Sequence, residues 1–145
     1  MKGILLSVDY GRTLGNLVLG RYEGIDDDIV SANFPTKKSG VAELNALMFP
    51  AVGYSPEILA QIKQRNFRAG DIYELAHLAI QHPEEVLKGP IVALGSIYNW
   101  HFSRRPGTRW VPVLRGGGSK LLLFLRLEDY GRSWNSSFRF LAFES

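Results

Sequence analysis

Residues Lys120 to Leu127 read Lys-Leu-Leu-Leu-Phe-Leu-Arg-Leu. An extended chain sends alternate side chains to opposite sides, which sorts this run into a uniform face of Leu121, Leu123, Leu125 and Leu127 and a mixed face of Leu122, Phe124 and Arg126. The leucine face is a core face. A solvated strand face ordinarily carries Thr, Lys, Glu or Ser, so Leu and Phe on the second face fit either a surface to be covered by a partner or a strand buried on both sides. The first reading makes the strand a binding platform, and the residues around it favour that reading.

With 145 residues, 46% of them hydrophobic, the chain matches one ordinary domain (residues 1–145) with enough apolar side chains for a core. The absence of cysteine excludes disulfides, thiolate nucleophiles, iron–sulfur clusters and Cys-type zinc sites. The first dozen residues hold only Ile4, Leu5 and Leu6 as an apolar run before Asp9, too short for a signal or a membrane span, so a cytosolic fold is the simpler expectation. The net charge of +3 is unevenly spread: residues 1–99 carry nine basic and eleven acidic side chains, residues 100–145 eight basic and three acidic. Seven of those eight are Arg, which suits an anionic partner and equally matches the arginine enrichment of protein-binding surfaces.

Local signals place helices early and strands late. Thr13 is a candidate N-cap for a short helix through Leu14, Leu17, Val18 and Leu19, and Asp26 to Asp28 for a further turn. Residues 1–40 therefore read as an N-terminal helical extension. Val41 to Phe49 tolerates a helix in composition (Ala42, Glu43, Leu44, Ala46, Leu47, Met48), but its bounding Gly40 and Pro50 suit a strand. Ser55-Pro56-Glu57 offers a capping hydroxyl, a first-turn proline and an acid for the helix dipole, and Asp71 with Glu74 forms a capping box before a second helix that Pro83 ends. Beyond Pro90, strands are expected over Ile91 to Tyr98, Trp110 to Leu114, Leu121 to Leu127 and Phe138 to Phe143. Two helices packed on antiparallel sheets with a long C-terminal loop region make an α+β fold.

Catalytic and metal chemistry find little support. His77 and His82 are five residues apart, on different sides of a helix, and His101 has no nearby acid to orient it as a base. Gly116-Gly117-Gly118-Ser119-Lys120 precedes a strand and not a helix, so no helix N-terminus faces a phosphate. Glu128 and Asp129 are adjacent carboxylates, not a spaced calcium cage. No cofactor is implied. The remaining constellation, residues 115–138, combines Leu122, Phe124 and Arg126 on one strand face with Tyr130, Arg132, Asn135, Ser136, Ser137 and Phe138 in the loop that follows. Aromatic and Arg anchors beside small polar residues are the chemistry of a paratope-like surface. Trp134 and Phe138 have an alternative place in the core beneath that loop.

Several short motifs occur in a telling order: Phe67-Arg68-Ala69-Gly70-Asp71-Ile72-Tyr73-Glu74-Leu75, then Pro90-Ile91-Val92-Ala93-Leu94-Gly95-Ser96. They are followed by Arg109-Trp110-Val111-Pro112-Val113-Leu114-Arg115-Gly116-Gly117-Gly118 and by Trp134 ahead of Arg139-Phe140-Leu141-Ala142-Phe143. Together with Tyr22 and Phe34-Pro35, this order resembles the variable proteins of diversity-generating retroelements, from about Tyr10 to Phe143. The family has Trp where this chain has Leu127 and an aromatic where it has Val113. The resemblance implies a C-type lectin fold whose C-terminal segment is rewritten by adenine-targeted reverse transcription. Carried over, the variable positions are Leu122, Phe124, Arg126, Tyr130, Arg132, Asn135, Ser136, Ser137 and Phe138. Formylglycine-generating enzymes share the fold and an Arg-Gly-Gly-Ser signature like that of Arg115 to Ser119, but their chemistry needs cysteines that are absent here.

The expectation is thus a ligand-binding protein without catalysis. Its site is formed by those positions, flanked by Tyr98, Trp100, His101 and Arg115, and its partner is a macromolecule, in the first place a protein and not a membrane. A module binding anions or single-stranded nucleic acid through Arg and aromatic residues is the alternative from another class, and burial of the apolar face in a homo-oligomer is also open.

Overall fold

Among the described residues, the three α-helices begin where backbone donors find an acceptor. In the computed structural model, which describes residues 3–99, 108–117 and 122–145, helix α1 spans Leu14–Val18 behind Thr13, whose hydroxyl accepts from the Asn16 amide at 3.2 Å. Helix α2 spans Ser55–Gln64, and the Glu57 carboxylate accepts from the Tyr54 amide at 3.1 Å. The Ser55 hydroxyl, expected as the cap, instead turns inward. Helix α3 spans Ile72–Gln81 behind the Asp71–Glu74 capping box, whose two reciprocal bonds measure 2.9 and 2.8 Å. Short 3-10 turns occupy Ser31–Asn33 and Pro83–Lys88.

The strands are β1 Ile4–Asp9, β2 Gly24–Ile25, β3 Val41–Pro50, β4 Gly53–Tyr54, β5 Phe67–Ala69, β6 Ile91–Val92, β7 Tyr98–Asn99, β8 Arg109–Gly117, β9 Leu122–Asp129, β10 Ser133–Trp134 and β11 Arg139–Glu144. The main sheet runs β1-β3-β11-β6-β8-β9-β2, with β5 beside β11 and β7 beside β8, while β4 and β10 pair apart from it. Alternation along each strand feeds two apolar layers. Leu6 and Val8, Leu114, Leu123 and Leu125, and Leu141 and Phe143 meet α1 and α3 on one side. Val111 and Val113, Val92, and Phe140 and Ala142 meet α2, Tyr130, Trp134 and Phe138 on the other. The chain is therefore a mixed α+β fold, mostly sheet, with helices on both faces of the central strands.

Four expectations change. Residues 1–40 are not a helical extension: β1 pairs in register with β3, and Leu6, Val8, Leu14 and Leu17 are fully buried. The turn expected at Asp26 to Asp28 is present, closed by the bond from the Ile29 amide to the Asp26 carbonyl at 3.0 Å, but the Asp26 carboxylate does not cap it; it accepts from the Leu127 amide at 2.5 Å, which extends the β2 edge along β9. The stretch from Ile91 to Tyr98 is two short strands and not one, because Ala93 leaves the ladder into a turn closed by the bond from the Ser96 amide to its carbonyl. Finally, the sheet is mixed and not antiparallel, since β6 with β11 and β2 with β9 run parallel. The strand expected from Val41 to Phe49 is present as β3.

Strand β1 lies at the sheet's edge, and α3 supplies the partners that a neighbouring strand would otherwise provide. The Gln81 carboxamide accepts from the Ser7 amide at 3.0 Å and donates to its carbonyl at 2.6 Å, as another peptide group would. His77 Nε2 accepts from the Asp9 amide at 3.0 Å, so the proton sits on Nδ1, which donates to the Tyr73 carbonyl at 2.7 Å. His82 Nε2 donates to the Leu5 carbonyl at 2.9 Å. His77 of α3 and His82 just past its end thus serve the backbone, and the edge is closed against another chain.

Glu74 is the charge on which this half of the molecule converges. Its fully buried carboxylate receives both Arg68 guanidinium nitrogens, at 3.0 and 2.6 Å, and the Tyr10 hydroxyl at 2.5 Å. Lys38 reaches Asp71 at 3.0 Å and Glu74 at 3.6 Å. The network ties the end of β1, the loop before β3, β5 and the start of α3. Burial alone would raise the Glu74 pKa, but the bonds from Arg68, Tyr10 and the Asp71 amide outweigh it and hold the carboxyl below its ordinary 4.5. A depressed carboxyl stabilises the fold above its unfolded-state pKa, and that stabilisation is lost as pH falls through the lower, folded-state one. Glu74→Gln is expected to cost roughly 2–4 kcal/mol at neutral pH in urea unfolding, because it strands Arg68, and to flatten the loss of stability on acidification.

Candidate binding surface

The row Leu122, Phe124 and Arg126 stands on β9 opposite the buried Leu123 and Leu125, with Leu122 36% exposed and Phe124 and Arg126 half-buried. Strand alternation therefore sorts these residues as the sequence predicts. Phe124 lies between two glycines on the neighbouring strands, Gly24 of β2 and Gly117 of β8. A Cβ on Gly24 would stand 2.9 Å from the Phe124 ring and 2.6 Å from the Arg126 guanidinium, and one on Gly117 would stand 3.1 Å from the opposite ring edge. The aromatic ring fills what the glycines leave empty. Arg126 sits above it, 5.4 Å from the ring centroid, with its guanidinium 3.5 Å from Asp26.

The loop after β9 is pinned from below. Trp134, 1% exposed, donates its indole N–H to Ser55 Oγ at 2.9 Å, and Ser55 Oγ donates to the Tyr130 carbonyl at 2.6 Å. One hydroxyl thus satisfies two buried groups, and β10 adds its pairing with β4. Tyr130 and Phe138, expected on the surface, are 7% and 4% exposed and belong to the core with Trp134, whose ring meets Phe138 edge-on at 4.8 Å. The packing that anchors the loop consumes these rings, and guanidiniums cover their outer faces. Arg109 lies 4.5 Å above Tyr130, Arg132 lies 4.7 and 4.8 Å from Trp134 and Phe138, and Arg115 lies 5.1 Å from Phe138.

Glu128 organises two of these arginines. Arg115 approaches its carboxylate in a fork with bonds of 2.6 and 2.7 Å, and Arg132 reaches the same carboxylate at 2.8 Å. Hydrogen bonding to Glu128 raises the Arg115 pKa further above its ordinary value. Arg132 is thus as much a lid over the core as a free contact residue. Asn135, Ser136 and Ser137 are exposed, but the Asn135 carboxamide oxygen accepts from the Ser137 amide at 2.9 Å, so Asn135 shapes the turn and Ser136 stands at its tip. Gly89, at φ +133°, makes room for that turn: a Cβ there would lie 2.6 Å from the Ser137 carbonyl oxygen.

Of the flanking residues, Arg115 joins the surface. Tyr98 does not: it pairs opposite Trp110 on the other face of the sheet, 5.7 Å from Phe34. Trp100 and His101 lie outside the described residues, as does Leu121 of the leucine face. Glu128, Gly24 and Gly117 were missed as makers of the surface. The spacing of Glu128 and Arg132 by four residues was the available clue to their pairing, whereas the reach of Gly24 across a hundred residues left none. Among the described residues no group of three or more His, Asp or Glu side chains is placed to hold a metal ion, and no helix is long and apolar enough to cross a membrane. No protein-family model, curated protein or solved structure matches the chain.

Ser55→Ala leaves the Trp134 indole N–H and the Tyr130 carbonyl buried without their partner. It is expected to lower unfolding stability by about 1–3 kcal/mol, measured by urea denaturation.

Proposed function

We propose that the chain is a binding protein of C-type lectin type, related to the variable proteins of diversity-generating retroelements, and that it carries out no catalysis. A macromolecular partner is held on the outward row of β9 and the loop that follows it. The contact residues are Leu122, Phe124 and Arg126, together with Arg115, Arg132 and the turn Asn135 to Ser137. The observation that carries this reading is the division of β9: Leu123 and Leu125 are 7% and 0% exposed, while Leu122, Phe124 and Arg126, which alternate with them, lie on the opposite face. Side chains on such a row can be exchanged at small cost because neither the ladder nor the core depends on them. Tyr130 and Phe138 are left out of the contact set because the core needs them.

Two measurements test the reading. Leu122→Ser and Phe124→Ser are each expected to change unfolding stability by about 1 kcal/mol or less, whereas Leu125→Ala costs roughly 2–5 kcal/mol in the same urea titration. Sequencing the DNA around the coding region is expected to find a reverse-transcriptase gene and a near-copy of the segment encoding residues 115–138 that differs at adenines. A locus without either would remove the diversification from the proposal.

A further inference from the structure

The proposed surface also carries a chemical preference, and this inference rests on the binding role proposed above. Arg109 and Arg115 occupy odd positions of β8, Arg126 an even position of β9, and the registers Arg115↔Phe124 and Val113↔Arg126 put these on one face of the ribbon. Arg132 joins them through Glu128. Four guanidiniums meet two carboxylates there, Glu128 and Asp26, and among the described residues Arg109 makes no ion pair. The cations are also pre-ordered, each stacked on a ring, with two clamped by a carboxylate that is 16% exposed. Binding then needs little further ordering of long side chains, which is the usual cost of an arginine contact.

We infer that this face recognises an acidic segment of a protein partner, whose Asp and Glu carboxylates dock on the N–H groups that Arg115, Arg126 and Arg132 still present, beside the apolar step of Leu122 and Phe124. A guanidinium fork matches a carboxylate in two parallel hydrogen bonds. Single-stranded nucleic acid fits less well. Base stacking needs open rings in succession, but Tyr130, Trp134 and Phe138 are at most 7% exposed and Phe124 lies under Arg126.

Fluorescence anisotropy of a labelled oligoglutamate peptide with the full chain is expected to report saturable binding. Arg126→Ala and Arg115→Ala should each weaken it about tenfold, and Arg115→Lys should not restore it, because an ammonium cannot form the fork. Absence of oligoglutamate binding, or tighter binding of oligothymidylate of equal charge, overturns the inference. Panning a random-peptide phage library, with the Phe124→Asp, Arg126→Asp double variant as counter-target, separates this inference from the role it rests on. Enrichment of Asp- and Glu-bearing peptides that the variant fails to hold supports it. Enrichment of neutral or basic peptides with the same dependence overturns the carboxylate preference and leaves the surface standing, and no peptide dependent on the face overturns both. Thermal melts of each variant by circular dichroism distinguish lost binding from lost folding.

Discussion

The outward loop depends on one buried hydroxyl. Ser55, at the start of α2, holds the Trp134 indole and the Tyr130 carbonyl together, and so fastens a loop to a helix seventy-nine residues away in sequence. Without it, two polar groups would be stranded in an apolar layer, where each lacks water to replace the lost bond. With it, both groups are paired, and the short turn of Asn135 to Ser137 is carried on a packed support. The loop is held by what it buries, and this frees what it exposes.

Charge is used differently in the two halves of the molecule. Glu74 is buried, and its cations come from β5 and the loop before β3, so it joins segments far apart in the chain. Glu128 lies nearer the surface, and its partners are two arginines of the same ribbon and loop. The first carboxylate holds the fold together; the second arranges side chains over a core that is already formed. Both hold guanidiniums over aromatic rings, Arg68 lying 4.7 Å from the Phe143 ring centroid as Arg132 lies 4.7 Å from that of Trp134, which lets a charged group cover apolar surface and remain hydrated on its outer side.

Much of this was legible locally. The period-two pattern from Leu122 to Leu127 identified the strand and its inward face, and Asp71 with Glu74 marked the start of α3, because strand alternation and capping are written within a few residues. Ser55 misled for the same reason: its position before Pro56 is that of a cap, but a hydrogen-bond partner on a distant loop outcompeted the nearby amide. Tyr130 and Phe138 misled because composition distinguishes neither side of a loop. A large aromatic beside Arg is equally the description of a contact residue and of a core residue under a cation. Parallel pairing of β2 with β9 had no local signal, since the bond from the Leu127 amide to Asp26 spans a hundred and one residues.

The paired glycines around Phe124 give that position control over relief. Its ring, with the Arg126 guanidinium at the β2 end, occupies a trench running across three strands, from β2 to β8. A small side chain there would leave a furrow floored by bare backbone, and a bulkier one would raise a ridge, with the strands beneath unmoved. Exchange at a single codon would therefore change the contour that a neighbouring molecule meets, from concave to convex.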